Sequence, residues 1–194
     1  MTAVASSVVG PVPFVLYELP VGQLSIDVGG LSLDISELLS NGRATYTIFQ
    51  RIVGMCLGLS SNSEGGDSDL IGTEGSYEVK AYPDVELHPR DKDDLFHTAA
   101  SSTFPANNLG PEVKALLAAG KYDEALVLCR RTGFDKNDFY IYTNTSKYDP
   151  SVPLRFMVLP VATVLELLSK DDPRLINRRD LLALCETTTR VILS

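Results

Sequence analysis

Residues 67–83 read DSDLIGTEGSYEVKAYP, and two β-rich runs flank Gly72-Thr73-Glu74-Gly75, a hairpin signal. With the turn centred between Thr73 and Glu74, antiparallel pairing sets Asp69 opposite Glu78 and Asp67 opposite Lys80. Side chains alternate faces along a strand. Asp67, Asp69, Glu78 and Lys80 therefore share one face, and Ser68, Leu70, Tyr77 and Val79 the other. Directly opposed Cβ atoms lie about 4.5–5.5 Å apart. Two carboxylates so close repel unless something positive stands between them. Mg²⁺ meets that need, being a hard cation held by one or two carboxylates while keeping several waters. A lysine two residues beyond Glu78 reaches the same site, where an ammonium stabilises charge developing on a phosphate.

Outward from the hairpin, the chain alternates helical and extended periodicities. FVLYEL (14–19) and QLSIDV (23–28) read as strands, with Gly29-Gly30 a turn before LSLDI. Asp34 is suited to cap a short helix through Leu39. Apolar positions from Tyr46 to Leu59 recur at helical spacing and predict a long, largely buried helix over 44–59. SSNSEGG (60–66) reads as a loop. Residues 84–110 are polar and irregular, a length of loop that is uncommon in a compact domain and usually functional. Pro111 suits the first residue of a helix ending at Gly120, and YDEALVLCRRTG makes a second helix ending at Gly133. DFYIYTN (138–144) and LRFMVLPV (154–161) predict strands, 162–170 a helix, and 178–193 an amphipathic C-terminal helix. This order implies an α/β or α+β fold, one domain over 1–194, with a mixed central sheet flanked by helices.

Charge supports a cation site. The 194 residues carry a net charge of −8, and residues 61–100, with ten acidic and three basic side chains, account for −7 of it. A local excess of carboxylates suits a divalent ion, which reverses the field a phosphate feels. The three cysteines, Cys56, Cys129 and Cys185, each sit in an apolar run and are too scattered for a zinc site. They read as reduced core residues and lead us to expect a cytoplasmic protein. Met1–Pro13 lacks a basic region and carries Pro11 and Pro13, so it reads as a mature N-terminus. No apolar run is long enough to suggest a membrane span. No GxxxxGK[ST] loop suggests a nucleotide cofactor, and no Gly-x-Ser-x-Gly elbow suggests a serine nucleophile.

The run Asp69–x₈–Glu78–Val79–Lys80 resembles the PD-(D/E)XK signature of restriction endonucleases and related repair nucleases, although no proline precedes Asp69. The resemblance implies a restriction-endonuclease-like core, with catalytic Asp69, Glu78 and Lys80. Asp69 and Glu78 would be metal ligands, joined by the Val79 carbonyl, with Asp67 competing for the first position. It also implies Mg²⁺ as cofactor with Mn²⁺ as substitute. The helix at 44–59 would be the first core helix, with Gln50 near the site, and 138–144 the next core strand. The activity implied is hydrolysis of double-stranded DNA, resembling a Type II enzyme that works as a homodimer on a palindrome.

His88, Arg90, Lys92, His97, Ser101, Ser102, Asn107 and Asn108 supply cations, hydroxyls and amides suited to phosphate and base-edge contacts. Lys147, in the polar stretch Thr143–Tyr148, is a further candidate. The His88–x₈–His97 spacing is a poor metal site. Arg130-Arg131 and Arg178-Arg179 read as surface charges at helix ends. Three other readings compete with the Type II assignment. One is a solvated strand face with cross-strand ion pairs. A second is a repair or phage nuclease that nicks or cuts branched DNA. A third is a non-catalytic interaction module built on the helix pair at 111–132. The apolar opposite face of the hairpin, the local charge and the polar segment downstream favour the nuclease.

Overall fold

Phe139–Thr143 is apolar on both faces, as a strand must be when it is buried from both sides, and it lies at the middle of a seven-stranded sheet. The fold is seen in a computed structural model, which describes residues 10–20, 25–34, 42–62, 68–81, 95–97, 109–144, 151 and 153–193. In chain order the strands are β1 (Val15–Leu19), β2 (Ser25–Val28), β3 (Leu31–Asp34), β4 (Ser60–Ser61), β5 (Leu70–Gly72), β6 (Gly75–Ala81), β7 (Leu95–His97), β8 (Phe139–Thr143), β9 (Leu154–Pro160), β10 (Leu175–Asn177) and β11 (Thr189–Ile192). The helices are α1 (Gly42–Leu57), α2 (Leu109–Ala118), α3 (Tyr122–Thr132), α4 (Val161–Glu166) and α5 (Arg178–Thr187). The large sheet runs β11-β1-β9-β8-β6-β5-β4, and two-stranded ribbons pair β2 with β3 and β7 with β10.

Pairing is mixed. β6 lies parallel to β8 and β1 parallel to β11, while β9 is antiparallel to both β8 and β1. Parallel neighbours require a crossover, and between β6 and β8 the chain includes the helix pair α2–α3. The two faces are covered differently. Phe49, Val53, Cys56 and Leu57 of α1 pack on Tyr17, Leu70, Tyr77, Val79, Ile141, Phe156 and Val158. On the opposite face, side chains from the other four helices, Val113, Ala125, Leu128, Cys129, Val164, Leu181 and Cys185, meet Leu16, Tyr140, Tyr142, Met157 and Leu159. The α+β class and the mixed, helix-flanked sheet expected from the sequence are thus both present. The three cysteines are buried and unbonded. No helix among the described residues is long and apolar enough to cross a membrane.

Several boundaries differ from expectation, each for a local reason. Strand β1 starts at Val15 because Phe14 takes a left-handed φ of 60°, its N–H held by the Val158 carbonyl at 3.0 Å. Helix α1 is one-sided, not largely buried, since Thr47, Arg51 and Met55 follow at intervals of four on its solvent side. Ser60 and Ser61, read as loop, pair with Ile71 and Leu70 and add an edge strand. Within 84–110, Leu95–His97 pairs with Leu175–Asn177, and α2 begins at Leu109, two residues before Pro111. The helix expected over 162–170 ends at Glu166. The C-terminal helix ends at Thr187, not Leu193. Thr187 and Thr188 turn their hydroxyls back onto the carbonyls of the last turn, at 3.2 Å to Ala183 and 2.6 Å to Leu184, and Thr189–Ile192 joins β1 as a strand. The short helix expected after Asp34 lies outside the described residues.

Candidate active site

The hairpin positions the candidate site. Leu70 pairs with Tyr77, Ile71 with Ser76 and Gly72 with Gly75, the register read from the sequence. Gly75 has a φ of +145°, and a Cβ there would meet the Asp138 carboxylate at 2.5 Å, so only glycine fits. The close approach has a purpose in the fold. Asp138 Oδ2 accepts both the backbone N–H and the hydroxyl of Ser76 at 2.9 Å, clamping the start of β6 to the start of β8.

Strand alternation then sorts the faces. Leu70, Tyr77 and Val79 are buried against α1, with Tyr77 also stacked on Phe139 at 4.9 Å. Glu78 and Lys80 point to the other face, beside Tyr140 and Tyr142, which are their register partners on β8. The Lys80 ammonium is 2.6 Å from Glu78 Oε1, and both side chains are only 15% exposed. A solvated face would leave them far more open, so the pair occupies a partly dehydrated recess. Burial first, and the Glu78 carboxylate second, push the hydroxyl pKa of both tyrosines well above the ordinary tyrosine range. Neutral phenols therefore wall the site at every physiological pH.

Asp69 departs from the ladder. Its N–H donates to the Tyr77 carbonyl at 3.1 Å, one residue short of the Glu78 pairing that a regular register gives. Its Oδ2 accepts the Val79 N–H at 2.9 Å. The carboxylate thus satisfies a β6 donor on the β5 side of the strand. An extended residue points its N–H and C=O to the same side, so the Val79 carbonyl faces the Asp69 side as well. The Asp69 carbonyl accepts Gln50 Nε2 from α1 and the Asn62 N–H, each at 3.2 Å. Backbone and carboxylate are both held. The repulsion expected between the two carboxylates is met within the chain, by the Val79 amide for Asp69 and by Lys80 for Glu78.

The structure therefore joins Asp69 to the Val79 amide and Lys80 to Glu78 on consecutive residues of β6, with Gln50 supporting Asp69. Asp67, His88, Arg90, Lys92, Ser101, Ser102, Asn107, Asn108 and Lys147 lie outside the described residues, as does the His97 side chain. The polar stretch expected after β8 is corrected at its start. Thr143 and Asn144 are buried, and Asn144 accepts the Arg155 N–H at 2.8 Å and donates to the Pro153 carbonyl at 3.0 Å, tying β8 to β9. Two neighbours of Glu78, Tyr140 and Tyr142, were not anticipated, because a parallel register across a crossover leaves no local signal.

As a donor set, the Asp69 and Glu78 carboxylates with the Val79 carbonyl are all oxygen, which suits a hard divalent cation. No group of three or more His, Cys, Asp or Glu side chains is assembled among the described residues, so any such ion depends on backbone and water for the rest of its shell. Compared with family models, curated proteins and solved structures, the chain has no significant match to any of them.

Proposed function

We propose that the chain is a Mg²⁺-dependent endodeoxyribonuclease acting on duplex DNA, resembling a site-specific Type II restriction endonuclease that works as a homodimer. The observation that carries this reading is the hairpin itself. Asp69 accepts the Val79 N–H and Glu78 pairs with Lys80, so two carboxylates and an ammonium are held at three successive positions of β6. The order helix, hairpin, helix pair and strand also agrees with the order of core elements that the PD-(D/E)XK resemblance implies.

In this reading Asp69 and Glu78, with the Val79 carbonyl, hold Mg²⁺, and Mn²⁺ substitutes for it. The bound ion supplies Lewis-acid activation of water and neutralises phosphate charge. Gln50 fixes the Asp69 backbone, so the ligand arrives pre-set. With Glu78 serving a metal, the Lys80 ammonium would be free to face the scissile phosphate and stabilise the charge that develops there. Tyr140 and Tyr142 bury one side of the recess and limit water around Glu78, which strengthens each charge interaction.

The test is incubation of the purified protein with unmethylated phage and plasmid DNA and Mg²⁺, beside Glu78→Ala and Lys80→Ala. Discrete fragments lost in both variants establish a site-specific nuclease. Relaxed circles point instead to a nicking or structure-specific enzyme. No cleavage with either metal overturns the reading. A second reading rests on the same contacts: Asp69 ends a ladder and Lys80 neutralises Glu78, both structurally. Mg²⁺ separates the two, since an ion bound by the folded state alone raises Tm logarithmically with its concentration above Kd, and a purely structural cluster leaves Tm unchanged.

A further inference from the structure

A second charged cluster lies on the sheet face that carries Glu78 and Lys80. Leu16 and Met157 are buried among the helices on that face, so alternation puts Glu18 and Arg155 on it too. Val191 and Leu193 pack against the α1 side, which leaves Arg190 on the same face as Glu18. The pairing register traces one row across this face, from Lys80 through Tyr142, Met157 and Leu16 to Arg190. Arg155 and Glu18 pair directly, two residues further toward the strand ends. Strands β1, β6, β8 and β11 all run in one direction, so Glu18 and Lys80 both lie toward the carboxyl ends of parallel strands. In open α/β sheets that end is where ligands bind.

The chemistry of the cluster is that of an anion receptor. Glu18 Oε1 takes Arg155 Nε at 3.2 Å and Arg190 at 3.5 Å, so one carboxylate organises two guanidiniums. Glu18 is 15% exposed, whereas Arg155 and Arg190 are 30% and 56% exposed. The anion is underneath and the cations face outward. Guanidinium forks match phosphate geometry and are weakly hydrated, so they release water readily to a phosphodiester. Arg155 stands two strands and two residues from Lys80, roughly 12 Å by strand spacing and rise. Arg190 stands four strands from Lys80 in the same row, roughly 19 Å by strand spacing.

We infer that Arg155 and Arg190, held by Glu18, form a phosphate subsite that grips the DNA backbone a few nucleotides from the phosphate at Lys80. This rests on the nuclease reading and deepens it, by giving the duplex a second anchor and a direction across the sheet. Arg190 is the more exposed anchor, and Arg155 fixes the geometry of Glu18.

The experiment is fluorescence anisotropy of a labelled duplex against salt concentration, in EDTA and again with Ca²⁺, for wild type, Arg190→Gln and Arg130→Gln. Arg130, at the end of α3 and paired with Asp135, controls for loss of one positive charge elsewhere. A phosphate contact contributes about 0.9 to the log–log salt slope. Arg190→Gln is expected to flatten the slope by about 0.9 and to weaken binding alike for all sequences, while Arg130→Gln matches wild type. Arg155→Gln leaves Glu18 without its closer partner and endangers the fold. Arg155→Lys is used in its place, and retention of most of the slope is expected. An unchanged slope in Arg190→Gln, or an equal change in Arg130→Gln, overturns the subsite even where wild type cuts DNA. A wild type that neither binds nor cuts DNA overturns the nuclease reading and the subsite together.

Discussion

The two faces of the sheet follow different rules although the same strands make both. On the α1 side, Tyr17, Leu70, Tyr77, Val79, Ile141, Phe156 and Val158 form an unbroken apolar layer, with Tyr17 stacked on Phe156 at 5.1 Å. On the other side the apolar layer is bounded by charge: Glu78 and Lys80 stand beside Tyr140 and Tyr142, Arg190 beside Leu16, and Glu18 and Arg155 one step beyond Leu16 and Met157. β6 is an inner strand, hydrogen-bonded on both sides, where charged side chains carry a desolvation cost. A chain that sets Glu78 and Lys80 there at 15% exposure gives up stability that two apolar residues would supply. Such placements concentrate at functional sites. Under the proposed nuclease reading, the contrast divides stability on one face from chemistry at the rim of the other.

That contrast can be broken by substitution. Phe156→Ala removes a fully buried ring from the α1 face and is expected to cost about 4 kcal/mol of stability in denaturant unfolding. A loss under 1 kcal/mol would mean that this layer is not the main core. Glu78→Gln keeps the side-chain volume and removes the charge. Its expected effect is a 10²–10³-fold fall in cleavage rate, roughly 3–4 kcal/mol on the barrier, with a smaller loss of stability because Lys80 loses its carboxylate partner. Equal losses of rate and stability from Glu78→Gln would erase the distinction between the faces.

Alkaline pH sharpens it from another side. Burial pushes the Cys129 thiol up to about 12, against an ordinary value of 9.0, with Asp172 adding to the shift. Tyr140 and Tyr142 are raised in the same direction, chiefly by burial. In each case the unfolded chain loses its proton at lower pH than the folded one. Their stabilisation is therefore complete below pH 9 and declines as pH climbs toward 12. Linkage for the thiol alone gives about 2 kcal/mol lost by about pH 10.5. Cys129→Ala, measured in parallel urea titrations, should remove about half of the total pH dependence, since the two tyrosines lose stability over the same range. An identical slope in the variant would assign the effect to the tyrosines.

How much of this was legible beforehand follows from the range of the interactions. The hairpin register needs only its two-residue turn and period-two alternation, both local, and pairs such as Leu70–Tyr77 match it. The exchange of Asp69 onto the Val79 amide was not legible, since alternation assumes that backbone pairs only with backbone. Glu78 meets Tyr140 across 62 residues, and Arg155 meets Glu18 across 137, through pairings that no nearby residue announces. Residues 188–193 were read as helix because Val191, Ile192 and Leu193 extend the apolar spacing of α5. The open edge of β1 recruits them as a strand, a tertiary choice that overrides the local pattern.

The smallest effect examines whether Asp69 is held or merely present. Gln50 reaches across from α1, the stability face, to the carbonyl of a residue that belongs to the chemical one. Gln50→Ala removes one hydrogen bond of two to that carbonyl and should cost about 1 kcal/mol of stability. Its effect on cleavage should exceed this in proportion if, as proposed, Asp69 holds the metal, because the shift then displaces a ligand and not just a turn. The diagnostic quantity is the Mg²⁺ concentration giving half-maximal rate, expected to rise about tenfold, with the rate at saturating Mg²⁺ changed less. An unmoved Mg²⁺ dependence would show that the Val79 amide alone orients Asp69, and would confine α1 to packing.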